Sequence, residues 1–145
     1  MSARQLAFGD YRTTLLPTTT IHDAVAGVVT DPIIGLVGMT YLAVQTTFVY
    51  GAGGTSVDVW IQTSLDAGVS WIDVMNFHFT TATGSKVSAV VTSTALAAAV
   101  TPGDAALGAN TILSGLLGDR VRAKYTSTGT YTGANTLTID MVAKA

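Results

Sequence analysis

Ser56 to Phe79 reads SVDVWIQTSLDAGVSWIDVMNFHF, and the fold follows from it. Val57, Val59, Ile61 and Leu65 alternate with Asp58, Trp60, Gln62 and Ser64, the period of two that a half-buried strand requires. Asp66-Ala67-Gly68 breaks the run, and Trp71-Ile72-Asp73-Val74-Met75 begins a second strand. Asp caps a turn through its side chain, and Gly takes the positive φ of a short hairpin loop. If Ser64 lies opposite Trp71, then Gln62 faces Asp73, Trp60 faces Met75 and Asp58 faces Phe77. One face of the hairpin is then a plain core face of Val57, Val59, Ile61, Ile72 and Val74. The other carries Trp60, Trp71, Met75, Phe77 and Phe79 among polar residues. That is too apolar for open solvent, and the expectation is a cover from another segment or another subunit.

The turn Ser64-x-Asp66-x-Gly68-x-x-Trp71 resembles the Asp-box, S-x-D-x-G-x-x-W, of sialidases and many other β-proteins. The resemblance implies that Ser64 and Asp66 hydrogen-bond the turn backbone and that Trp71 packs beneath it. It implies a pinned hairpin and no chemistry. With a single copy, a repeated-blade propeller is not supported.

The chain has 145 residues, 48% apolar but only 11% charged, against roughly 25% charged in ordinary soluble domains. Glu is absent and Thr is plentiful, which favours strands over helices. The net charge of −2 argues against nucleic acid as a partner. Without Cys there are no disulfides or thiolate metal sites. The N-terminus lacks the apolar run of a secretory signal, and Ile33 to Val44 is too short and too interrupted to cross a bilayer. Such a charge-poor exterior suits an assembly component covered by neighbours.

Residues 1–32 read as an extended N-terminal arm with one strand near Tyr11 to Leu16 and a helical turn near His22 to Gly27. Twenty extended residues reach roughly 66 Å, enough to tie subunits together. Residues 33–145 read as a single all-β sandwich of about seven or eight strands, with a jelly roll as one form of it. Thr40 to Tyr50, Lys86 to Thr92, Gly118 to Thr126 and Thr136 to Ala143 read as strands. Thr94 to Leu117, rich in Ala and Gly, reads as an excursion lying on the sandwich, with one helical turn in its alanines. The strand Gly118–Thr126 places Arg120, Arg122 and Lys124 on one face. Pairing with the last strand would bring Asp140 to that row.

No constellation of catalytic groups stands out. His22 and His78 lack metal-ligand spacing, and Asp58, Asp66 and Asp73 are the only carboxylates near the hairpin. The expectation is a protein that is not an enzyme, with no catalytic, cofactor or metal site. Exposed Trp60, Trp71 and Tyr131 would instead suit a carbohydrate- or receptor-binding module.

Thr13-Thr14-Leu15-Leu16, VDVWIQTSLDAGVSWIDV (57–74) and GDRVRAKYTSTGTYTGANTLTIDMVAK (118–144) together resemble small β-rich proteins from the head-gene clusters of tailed bacteriophages and gene-transfer particles. Relatives often carry Asp-Gly-Gly where this chain has Asp66-Ala67-Gly68. The resemblance implies a virion structural protein made in the bacterial cytoplasm, a capsid decoration (cement) or minor capsid protein on the head exterior. A head-completion or tail-associated role is the neighbouring alternative. The implied partners are the major capsid protein and further copies of the chain, as a homotrimer, with no membrane involved. Candidate subunit and capsid contacts are Arg4, Phe8, Tyr11, Arg12, Trp60, Met75, Phe77, Arg120 and Arg122.

Overall fold

A computed structural model describes residues 3–5 and 12–145. Its strands are β1 (Arg4–Gln5), β2 (Arg12–Thr20), β3 (Val28–Val29), β4 (Ile33–Ile34), β5 (Tyr41–Val49) and β6 (Ala52–Gly53), followed by β7 (Ser56–Ser64), β8 (Ile72–Phe79), β9 (Gly84–Val91), β10 (Arg120–Thr128), β11 (Tyr131–Thr132) and β12 (Thr136–Lys144). The fold is all-β, a sandwich of two main sheets. One sheet runs β2-β12-β5-β9. The other runs β1-β4-β10-β7-β8, with β3 also pairing β10, and β11-β6 forms a small ribbon.

Alternation builds the core. Leu42, Val44 and Phe48 of β5 and Leu137, Ile139 and Met141 of β12 point inward and are buried. They meet Val57, Val59 and Ile61 of β7 and Val121, Ala123 and Tyr125 of β10, which are also buried. Tyr131 closes one end, edge-on to Phe48 at 5.7 Å, with its hydroxyl donating to the Thr80 carbonyl at 2.8 Å.

The β7–β8 hairpin departs from its expected register. Gln62 does face Asp73, but a bulge then adds one residue to β8 at Val74. Ile61 pairs with Met75, Trp60 with Asn76 and Asp58 with His78. One extra residue exchanges the two faces of a strand. Met75, Phe77 and Phe79 therefore point into the core and are buried.

The expected pairing of the last two long strands is also corrected. β10 pairs with β7, and β12 pairs with β2 and β5 in the opposite sheet. Asp140 consequently lies far from the basic row and accepts from Thr14 Oγ1 at 2.8 Å.

From residue 12 on, the segment expected as an arm belongs to the fold. β2 is an edge strand whose Leu15 and Leu16 are buried. Pro17 sits where the β2–β12 register slips around Ile139, a place where an edge strand tolerates a missing donor. Phe8 and Tyr11 lie outside the described residues.

Neither expected helical turn forms. Asp23 and Gly27 take positive φ, and the Val25 and Gly27 amides donate to Ser127 Oγ and Thr126 Oγ1. The alanines at 95–99 are too few to offset the cost of helix nucleation.

Candidate functional site

The outer side of β7, β8 and β10 holds the densest polar cluster among the described residues. The Asp-box turn stands at its head. Ser64 Oγ donates to Asp66 Oδ1 at 2.8 Å and accepts from the Gly68 amide at 2.9 Å. Asp66 also accepts from the Ser70 amide at 2.8 Å and the Ser70 hydroxyl at 2.6 Å. Ala67 and Gly68 take φ of 60° and 87°, so the backbone folds over the carboxylate. Hydrogen bonds from Ser70 first, then Ser64, hold the Asp66 pKa down at about 2. Trp71 lies beside the turn, with the Arg122 guanidinium 4.1 Å from its ring centroid.

Below the turn, Asp73 anchors the 94–117 excursion. Its carboxylate accepts three consecutive backbone amides, Ala105 at 3.0 Å, Ala106 at 2.6 Å and Leu107 at 3.0 Å. Positive φ at Ala105 helps those amides converge on one anion. Buried Gln62 donates from Nε2 to Asp73 at 2.8 Å and to Asp104 at 2.7 Å, while its Oε1 accepts from Arg122 Nε at 2.8 Å. Lys124 Nζ reaches Asp104 at 3.0 Å. The Gln62 hydrogen bond first, then Lys124 and Arg122, lowers the Asp104 pKa. Burial pushes the Arg122 pKa down against the pull of Asp104 and Asp73. Trp60 Nε1 donates to the Leu107 carbonyl at 2.9 Å. Further along, the excursion docks on β8 like a short extra strand: Asn76 N donates to Thr111 O, and Leu113 N to Val74 O, both at 2.9 Å.

The cover expected over the hairpin's outer face is therefore supplied by the chain's own excursion. Met75 and Phe77, expected as subunit or capsid contacts, are core residues. The bulge at Val74 is the reason. Trp60 is half-buried under Leu107. Arg120 chelates its neighbour Asp119 through Nε and Nη2 at 3.2 and 3.1 Å. Arg122 is committed to Gln62 and Trp71. Arg4 Nη2 donates to Leu15 O at 3.2 Å and ties the two sheet edges together. The sugar-stacking trio does not assemble, since Tyr131 is 0% exposed, Trp60 is capped and Trp71 is stacked on Arg122. Asp58, Asp66 and Asp73 do not converge. Asp58 pairs with His78 Nδ1 at 2.9 Å, and the other two hold loops.

Asn76 and Ser70 share this work and were not singled out by sequence, whereas Gln62 was expected opposite Asp73 and lies there. Asp104 was visible as a carboxylate at the tip of an Ala-rich loop in a charge-poor chain.

The opposite sheet is different. Its outer face is open, with Arg12, Asp140 and Lys144 as its charges among the described residues. Thr18 and Thr138 hydroxyls pair at 3.0 Å, and Thr47 pairs with Ser85 at 2.7 Å. Beside that row lies a shallow depression of about 210 Å³, floored by Ala43 and Val142 and edged by Arg12, Gln45, Val87 and Asp140. Among the described residues, Arg12 is thus the expected contact residue that borders this open face.

Comparison of the chain with protein-family models, with curated proteins and with solved structures finds no match.

Proposed function

We propose that this chain is a virion structural protein, a decoration or minor capsid protein attached to the major capsid protein on the exterior of a tailed-phage head. The strand order carries the reading. Counting the seven long strands in chain order, with the short β3 and β4 together as the second position, the order is 1-8-3-6 in one sheet and 2-7-4-5 in the other. We read this interleaving as a jelly roll, an architecture used by viral capsid and lectin domains. Fold alone does not carry function, so the surfaces have to agree with it.

They support it in two ways. Around the hairpin, Asp66, Asp73 and Asp104 are engaged in holding the chain's own loops, a structural use of its carboxylates. The open face of the β2-β12-β5-β9 sheet is built mostly of Thr and small residues, with Arg12, Asp140 and Lys144 as its charges. Such a face can lie against a lattice with little desolvation cost. The aromatic face that would have carried a trimer lies inside the fold, so attachment falls to the open face and to Arg12 at its rim. A lectin role is disfavoured by the loss of the three aromatic platforms.

The test uses heads purified without the protein. Adding back the purified chain should raise the temperature at which packaged DNA is released. An unchanged release temperature at saturating chain would count against a cement role.

A further inference from the structure

We propose that β9 is a self-association edge, on which a second copy of this chain pairs antiparallel about Val87. This goes beyond the shell reading and stands without it.

The geometry of β9 supplies the donors and acceptors. Thr92 N donates to Thr40 O, so the even-numbered residues of β9 turn their backbone groups toward β5. The odd-numbered residues turn theirs away. Val91 accordingly bonds outward, its amide to Ser114 Oγ at 3.1 Å. Ser85, Val87 and Ala89 point the same way, and no hydrogen bond within the chain occupies their backbone groups among the described residues.

The other long-strand edges are blocked. β2 carries Pro17 and two register slips against β12. The β8 edge is covered by Asn110 to Leu113, with Met75 bridged to Ile112. Among the described residues β9 is capped only at its end, where Ser114 Oγ bonds both the amide and the carbonyl of Val91; from Ser85 to Ala89 it is unprotected, holds an unbroken register with β5 and contains no Pro. Lys86, its one charge, is turned inward, where Nζ donates to His78 O and to Asn110 Oδ1. An uncovered regular edge of this kind is a template for pairing.

The strand is also its own complement. A two-fold axis through Val87 sets Val87 against Val87, Ser85 against Ala89 and Lys86 against Ser88. No like charges face each other, and the outward residues are small or apolar. Val87 is 68% exposed. A groove of about 410 Å³, lined by Asn76, Phe77, Lys86, Val87, Ser88 and Asn110, leaves room for the incoming strand's inner side chains. Asn76 Nδ2 in its wall is buried without an acceptor. Pairing would join two open Thr-rich faces into one continuous face. The contact is small against the ~1,600 Å² of a standard interface, so it should be reversible and concentration-dependent.

The experiment is sedimentation velocity of the full chain over a wide concentration range. The mass should rise from 14.9 kDa toward twice that value. Val87→Lys puts two like charges together at the axis and should weaken the dimer more than about tenfold. Val87→Pro deletes only an outward N–H and should do the same while keeping the β5 ladder, with circular dichroism to confirm folding. Val69→Lys, at an exposed position (85%) on the Asp-box turn, should change nothing. Because the chain has no Cys, oxidised Val87→Cys should give a covalent dimer and Val69→Cys should not. A chain that stays monomeric at the highest concentration overturns the proposal. So does a dimer untouched by Val87→Lys, equal crosslinking at 87 and 69, or a mass of three chains, which a two-fold contact cannot close.

Discussion

Asp73→Asn should free the 94–117 excursion from the sandwich. The wild-type carboxylate takes four donors: three backbone amides and Gln62 Nε2. In either orientation, the amide of Asn presents NH₂ to two of them. A hydrogen bond to a charged group contributes about 1.5–3 kcal/mol, and a buried donor left unmet costs a similar amount. The lost bonds total about 3–6 kcal/mol before relaxation. The loop can then turn its amides to water, which caps the loss at the docking free energy of the loop, about 3 kcal/mol. Hydrogen exchange reads this directly: the Ala105, Ala106 and Leu107 amides should exchange about 100-fold faster. If the loop and the sandwich unfold together, the melting temperature should also fall by about 6–12 °C. If the loop opens alone, core amides such as Ile61 keep their protection. Unchanged exchange at 105–107 would refute the claim that Asp73 holds the loop.

Three further outcomes follow from the geometry. Asp66 has a folded pKa depressed to about 2 from an ordinary 3.8, so its contribution is full above the ordinary value and is lost as pH falls through about 2. Protection of the Gly68 and Ser70 amides should therefore persist at pH 5 and decline between roughly pH 4 and 2, and a decline already complete at pH 4 would contradict this. Leu15→Ala should cost about 3 kcal/mol in urea unfolding, because the side chain is 1% exposed in the core; a free arm would lose nothing. Gly118→Ala should abolish or severely reduce folded yield, since a Cβ there would strike the Ser64 carbonyl, which is fixed backbone; normal yield and stability would show that β7 can move aside.

The legible parts of the fold were the local ones. In β10, in β12 and in β7 as far as Ile61, buried residues alternate with partly exposed ones, so alternation marks the strands and their inward residues. The Asp-box turn is equally local, because its bonds join residues within a single loop. Sheet partners are another matter. β10 and β12 are neighbours in sequence and lie in opposite sheets, a consequence of crossovers that no short window records. The bulge at Val74 has no Gly to announce it, yet it moves Met75, Phe77 and Phe79 from an expected contact surface into the core. A strand near Tyr11 to Leu16 was legible, but Pro17 and the threonines after it suit an arm as well as an edge strand, which hid the extension of β2 to Thr20 and its place in the sheet. Gln62 was expected opposite Asp73, but the three loop amides that Asp73 anchors lie more than 30 positions away and could not be foreseen.

Cosedimentation tests the central claim most directly. The purified chain would be mixed, over a range of concentrations, with shells assembled from the major capsid protein of the same genome, and the pelleted copies per shell counted. Decoration predicts saturable binding at a fixed number of copies per lattice unit, weakened by Arg12→Asp at the rim of the open face. Absence of the chain from the pellet at every concentration would contradict a role on the shell.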